Sequence, residues 1–244
     1  MPLKDTLKKL LDILFPRHCE ICSSQVDRFD RYICANCLNN LPFRPQDGCA
    51  ICANPISSGG NTNLLCEDCS GKNRPFFDRA AAAVCFEGNF RRILLDFKFN
   101  SHLWLKNDFI DLLESAARSR LNMAAVDLII PMPITTFHLL DRGFNQSALL
   151  AKALAKRINK SYSNKILRRI NSPRRQSGLK EEDRRENVKN TFKVLKPRKV
   201  IGRVILVVDD IMTTGATLSE CARTLKSAGA QKVFVLTLAT TLRS

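Results

Sequence analysis

The sequence predicts an α/β fold: a parallel sheet flanked by helices, with a small Cys-rich module in front of it. Three observations carry this. Four CxxC pairs crowd residues 19–69 among prolines and glycines, with few apolar residues to build a core. From residue 80 onward, short aliphatic runs alternate with stretches of helical periodicity, as strand–helix–strand units do. One of those runs, VILVV at 204–208, passes into two acids and a threonine-rich loop, DDIMTTGAT.

The length of 244 residues permits one full α/β domain plus a small appendage. Hydrophobic residues make up 45% and charged residues 25%, so the composition is that of an ordinary globular chain. The formal net charge of +16 points to anionic partners. Its distribution is uneven: residues 152–203 hold 18 Lys or Arg against 4 Asp or Glu, a local excess of +14. The opening residues, MPLKDTLKKLLDILF, lack the continuous apolar core and small-residue cleavage site of a secretory signal. No apolar run approaches transmembrane length, so a cytoplasmic, reducing location without a membrane span is expected. Leu3, Leu7, Leu10, Leu11 and Leu14 recur at helical spacing, which predicts an amphipathic helix over residues 1–17 that packs on the protein itself.

A CxxC unit wraps two thiolates around one side of a metal, and a second unit closes a tetrahedral Cys₄ site. The four pairs are Cys19/Cys22, Cys34/Cys37, Cys49/Cys52 and Cys66/Cys69. They predict two structural Zn²⁺ ions in a module spanning 18–72. Sequential pairing is the default, and a cross-braced arrangement is also open. With so little apolar material available, metal binding supplies most of the module's stability, on the order of 10 kcal/mol per zinc. A redox role is the weaker reading because no strand–helix–strand pattern surrounds any pair. His18 abuts Cys19 but is not needed to complete either quartet.

Residues 70–75 read as a linker, after which the α/β domain occupies 73–244. A first strand is expected at 80–86, with Cys85 as a core thiol. Phe90, Ile93, Leu94 and Phe97 form a helical stripe. A second helix follows at 102–117, with Trp104 as a packing residue. Residues 126–130 are a buried-strand candidate that runs into Pro131-Met132-Pro133. Next come Asp141-Arg142-Gly143-Phe144-Asn145-Gln146 and an apolar helix at 148–158. Arg and Asn at a helix start make a second potential anion site, although a helix cap explains Asn145 equally well. A third strand is expected at 165–170, then a polar, basic excursion over 171–190 with a short helix near 180–188. Residues 191–194 return to the sheet, and 196–199 form a basic turn.

The run at 204–208 is β-branched and aliphatic throughout, as a strand buried on both faces must be. Asp209 and Asp210 then sit at its carboxyl end, where open α/β sheets place ligands. Thr213, Thr214, Gly215, Ala216 and Thr217 lead into an amphipathic helix at 217–228, with Leu218, Cys221 and Leu225 on one face. Backbone N–H groups of a Gly-containing loop at a helix N-terminus form a phosphate cradle. The two carboxylates cannot touch that phosphate without repulsion. They can accept hydrogen bonds from vicinal ribose hydroxyls or help hold a hydrated Mg²⁺. A ribose 5-phosphate satisfies both halves, and the absence of GxxxxGK[ST] argues against a nucleotide-triphosphate loop. Gly229 ends the helix, and residues 232–238 complete a parallel sheet of about five strands.

The segment VVDDIMTTGAT resembles the phosphoribosyl pyrophosphate (PRPP) motif of type I phosphoribosyltransferases, in which the acids hold the ribose hydroxyls and the loop holds the 5-phosphate. RGFNQSALLAKALA at 142–155, Gln176, the spacing Arg184-x-x-Asn187-Val188 and the CxxC units extend the match. Together they resemble the ComF family of bacterial competence-associated proteins over essentially the whole chain. The resemblance implies a double zinc ribbon followed by a type I phosphoribosyltransferase-like domain, and a role in handling transforming DNA. It assigns PRPP binding to Asp209, Asp210, Thr213, Thr214, Gly215, Ala216 and Thr217, with Mg²⁺ accompanying PRPP. Pyrophosphate and loop candidates are Pro133, Arg142, Gly143, Asn145, Gln146, Gln176 and Arg184. The family's pyrophosphate-contacting loop maps to 131–134 and its flexible closing loop to 171–190. The motif leaves the acceptor open.

Two functions compete. As an enzyme, the protein displaces pyrophosphate from PRPP with a nitrogen nucleophile. As a binding module, it senses PRPP while its basic segment and ribbons engage single-stranded DNA or a competence or DNA-processing partner such as a helicase. The basic segment holds few aromatics, Tyr162 and Phe192, for stacking on bases.

Overall fold

The computed structural model describes residues 16–26, 28, 30–44, 48–56, 64–72, 74–170 and 190–241. Five strands form the central sheet in the order β1 (Arg79–Cys85), β7 (Lys232–Thr240), β6 (Val204–Met212), β2 (Leu128–Pro131) and β3 (Ser161–Tyr162). Every pairing within it is parallel. β6 and β7 lie inside the sheet and are covered on both faces, which is why they read as unbroken apolar runs.

Side chains alternate across β6, and the helices on each side show the result. Leu206 and Val208 join a core built by α3 (Gly88–Phe99), α4 (Lys106–Arg120) and α6 (Gln146–Arg157), through Phe90, Phe97, Phe109 and Leu150. Ile205 and Val207 point the other way, against Leu218, Cys221 and Leu225 of α7 (Ala216–Ser227). Continuing that alternation puts Asp210 on the side of α3 and α6, and Asp209 on the side of α7.

Two expectations about the sheet are corrected. Residues 165–170 and 191–194 do not enter it. They form a separate antiparallel pair, β4 (Leu167–Arg169) with β5 (Phe192–Val194), in the register Leu167↔Val194 and Arg169↔Phe192. Each carries basic residues beside its apolar ones (Arg168, Arg169 and Lys193), and such a strand cannot be buried on both faces of a parallel sheet. The fifth strand is instead the two-residue β3, too short to leave a hydrophobic signature. The central strand also continues through the acids to Met212 rather than stopping before them.

The Cys-rich module, which holds the short helices α1 (Ala35–Asn39) and α2 (Glu67–Ser70), closes the open edge of β1. Ala80 N–H donates to Ile51 C=O at 2.6 Å and Cys85 N–H to Pro42 C=O at 2.7 Å, while Arg44 N–H reaches Ala83 C=O at 3.3 Å. An edge strand otherwise presents unpaired donors and acceptors, and here the module supplies the partners. Ile33 and Leu41 enter the core beneath α3 and α4, whereas Cys49, Ile51 and Cys69 enter the core beneath α7. The expected helix over 1–17 falls almost entirely outside the described residues, as does the excursion at 171–190. Trp104, expected as a packing residue, packs at the surface against His102 and Tyr32. It is 42% exposed, stacks on His102 with ring centroids 4.4 Å apart, and donates from Nε1 to Glu20 Oε1 at 2.7 Å. It thereby ties the lead-in to α4 to the first ribbon. No helix among the described residues is long and apolar enough to cross a membrane.

Candidate functional site

The acid pair lies where β6 meets the N-terminus of α6 and the C-terminal end of α3. Asp210 is 4% exposed. Its Oδ2 accepts from Gln146 Nε2 at 3.1 Å and faces Lys98 Nζ at 2.6 Å, and its Oδ1 accepts from Ile211 N–H at 2.8 Å. Asp209 Oδ1 accepts from Ser147 Oγ at 2.8 Å and from Asp210 N–H at 2.9 Å. Burial, and after it the charge of Asp210, push the Asp209 carboxyl up to about 7, against the pull of Ser147 and Lys98. Among the described residues Asp209 Oδ2 carries no hydrogen bond, so one hard oxygen remains for a hydroxyl or for the shell of a Mg²⁺ ion.

Beyond the acids the chain turns at Thr213 and Thr214 and enters α7 through Gly215. Gly215 has φ +70, in the left-handed region, and no side chain caps the helix behind it. Ala216 N–H is turned toward Thr214 Oγ1 at 3.3 Å. The loop rests on Met212 and Phe77: a Cβ placed on Gly215 would lie 3.7 Å from Met212 Sδ and 3.9 Å from Phe77 Cε1. Phe76 N–H donates to Ser219 Oγ in the first turn of α7 at 3.0 Å, so the segment before β1 also braces this helix start. Such a loop offers backbone N–H groups and the positive end of a helix to an anion.

The second group of candidates divides. Asn145 is a helix cap: its Oδ1 accepts from Ala148 N–H at 3.1 Å and its Nδ2 donates to Met132 C=O at 3.1 Å. Gln146 is buried and committed to Asp210 through Nε2, while its Oε1 is buried without a hydrogen bond among the described residues. Arg142, at the end of α5 (Thr136–Arg142), holds its guanidinium 4.8 Å above the Phe99 ring, with Nε buried and, among the described residues, without a hydrogen bond. Gly143 has φ +75 and terminates that helix. Pro133 is half-buried, just past β2. Gln176 and Arg184 lie outside the described residues. Three residues outside the sequence motifs, or with no role assigned there, act on the acid pair. Lys98 and Ser147 touch it directly, and Arg169 of β4 stands within electrostatic reach of Asp209, its own pKa lowered by burial. Ser147 lies within the segment RGFNQSALLAKALA at 142–155, but nothing in the local sequence marks Lys98 or Arg169.

The eight cysteines of the module form two groups, Cys19/Cys22/Cys34/Cys37 and Cys49/Cys52/Cys66/Cys69, with the sulfurs in each within 4.8 Å of one another. The pairing is sequential. Peptide N–H groups of Ile21 and Cys34 approach Cys19 Sγ at 3.4 Å, and that of Asn54 approaches Cys52 Sγ at 3.5 Å, as around metal-bound thiolates. Four sulfurs fill a tetrahedral shell, so both groups fit structural zinc and leave no open coordination position. His18 stands outside both sets.

The double zinc ribbon domain family matches residues 10–70, and the phosphoribosyl transferase domain family matches 145–243. Competence protein F of Haemophilus influenzae is 28% identical over 224 residues, covering 86% of this chain and 98% of its own length. The chain is a homologue of the ComF-type competence proteins. Competence protein ComFC of Bacillus subtilis is 27% identical over 210 residues, 82% of this ComF homologue and 80% of that protein. DNA utilization protein YhgH of Escherichia coli K12 is 27% identical over 227 residues, 92% and 90% of the two chains. Among solved structures, the glutamine PRPP amidotransferase from B. subtilis matches 64% of this chain at 17% identity and a TM-score of 0.39. The match spans 31% of that longer chain. Adenine phosphoribosyltransferase from Saccharomyces cerevisiae matches 57% of this chain and 72% of its own, at 15% identity and a TM-score of 0.37.

Proposed function

We propose that this ComF homologue binds PRPP with Mg²⁺ across the acid pair and the threonine loop. We further propose that it transfers the phosphoribosyl group to a nitrogen acceptor, with release of pyrophosphate, during the handling of incoming DNA. One observation supports this above the others: a single strand–loop–helix unit carries two adjacent carboxylates and, directly after them, a helix start whose N-cap is Gly215 at positive φ, with no side chain of its own in the way. In this reading the N–H groups at 215–217 and the threonine hydroxyls hold the 5-phosphate, and the carboxylates accept the ribose hydroxyls. The bond from the sugar carbon to the pyrophosphate oxygen breaks with its electron pair while the bond to nitrogen forms. Arg142 and Arg169 lend positive charge to the leaving group. Mg²⁺, when bound, neutralises the diphosphate, and Asp209 is the residue with an oxygen free to face its hydration shell. Such a reaction depends on positioning and charge more than on a dedicated base.

Calorimetry with Mg²⁺ and PRPP tests the binding. Asp209→Asn with Asp210→Asn should weaken affinity at least about tenfold, since each charge-assisted hydrogen bond is worth roughly 1.5–3 kcal/mol. A wild-type protein that shows no PRPP binding overturns the proposal. The +14 segment, part of which forms the β4–β5 pair near Asp209, favours a second reading: a PRPP-responsive module that binds single-stranded DNA or a DNA-processing protein. PRPP binding without pyrophosphate release to any nitrogen acceptor would select that reading.

A further inference from the structure

The acid pair has a cation of its own, and it comes from a rigid element. Lys98 follows Phe97 near the end of α3, a helix fixed in the core by Phe90, Ile93, Leu94 and Phe97, all 0% exposed. Its Nζ stands 2.6 Å from Asp210 Oδ2, with the two side chains 18% and 6% exposed, so this is no solvent-screened surface pair. The Phe99 ring lies 6.0 Å from the ammonium and 4.8 Å from the Arg142 guanidinium, which places a second cation at the same rim. With Gln146 Nε2 and Ile211 N–H, Lys98 leaves Asp210 with both oxygens engaged before any ligand arrives.

Two adjacent carboxylates without a cation make a hard-oxygen site that takes Mg²⁺ or Mn²⁺ from solution. An ammonium in direct contact supplies that charge already and repels a divalent ion from the same oxygens. We propose that Lys98 is the standing counter-cation of Asp209 and Asp210: it keeps free divalent metal off the acid pair, so that metal enters with the anionic sugar phosphate, whose diphosphate offsets the repulsion. The last step rests on the PRPP reading of the site; the exclusion of free metal does not.

The test uses zinc-loaded full-length protein, with Mn²⁺ alone as the probe and its affinity read by electron paramagnetic resonance. Lys98→Met and Lys98→Gln should each bind Mn²⁺ at least tenfold more tightly than wild type. Lys98→Arg should behave as wild type, and Lys98→Met with Asp210→Asn should lose the gain. Two neutral variants keep the test open should one fail to fold, as zinc content and circular dichroism would reveal. Equal Mn²⁺ affinity in wild type and the neutral variants, or a gain in Lys98→Arg, overturns the role of Lys98. A separate titration of wild type with PRPP and Mg²⁺ distinguishes the two readings. Absence of PRPP binding there overturns the substrate assignment while leaving the Mn²⁺ comparison intact.

Discussion

Cys52→Ser with Cys66→Ser removes two ligands of the second zinc group at half-buried positions, whereas Cys49 and Cys69 are packed in the core and would leave holes. The substitution therefore tests metal loss and not cavity formation. Without zinc, the turn at 49–54 loses its metal tether and keeps backbone hydrogen bonds such as Cys49 N–H to Asn54 C=O and Ala53 N–H to Cys49 C=O, and three attachments to the sheet are expected to loosen with it. Ile51 leaves the α7-side core, a loss of about 1.5–3 kcal/mol. Its carbonyl releases Ala80 N–H, worth about 1 kcal/mol. Arg44, 7% exposed, loses Ala53 C=O and Asn54 Oδ1 as acceptors, a charged loss of roughly 1.5–3 kcal/mol. The total of roughly 5 kcal/mol is a large share of the about 5–15 kcal/mol that holds a typical domain together. At about 2–4 °C per kcal/mol for a chain of this size, the melting temperature should fall by about 10–20 °C. Elemental analysis should show zinc falling from two ions per chain to one. Hydrogen exchange should speed at Ala80 more than at residues of β6. If the variant melts within about 3 °C of wild type and Ala80 keeps its protection, the ribbon is an independent module and does not secure the edge of β1.

Gly215→Ala should separate stability from phosphate binding. The new methyl meets Met212 and Phe77 no closer than 3.7 Å, so its cost is the left-handed backbone alone, about 1–2 kcal/mol by denaturation. Ribose 5-phosphate affinity should drop about tenfold or more as the loop shifts to relieve the left-handed backbone and its N–H groups lose their aim; unchanged affinity would detach the phosphate from this loop. Asp209 gives a pH signature. With its carboxyl raised to about 7, the folded protein retains a proton that the unfolded chain releases near pH 4, so this contribution to stability is full at low pH and is lost as pH rises through about 7. Asp209→Asn should flatten the decline in urea stability between pH 5 and pH 8, and an identical decline in both proteins would count against the raised carboxyl.

What the sequence determined by itself is what is contiguous in it. The β6–α7 unit is legible because a doubly buried strand must be apolar throughout, a left-handed turn wants Gly215, and the acids fall where the apolar run ends. The two cysteine quartets are legible because chelation by a CxxC turn depends on local spacing. The helices at 88–99 and 146–157 show in their apolar stripes for the same reason. Tertiary structure decided the rest. Gln146 and Ser147 reach the acids across 64 and 62 positions of chain, and Lys98 comes from farther still. A lysine at the end of an apolar helix carries no local sign that it will face a carboxylate. The same holds for β4 and β5, whose apolar residues announce strands but not the sheet they join. It holds for the ribbons as well: metal spacing says that they fold, and only the open edge of β1, with donors that must find partners, says where they sit.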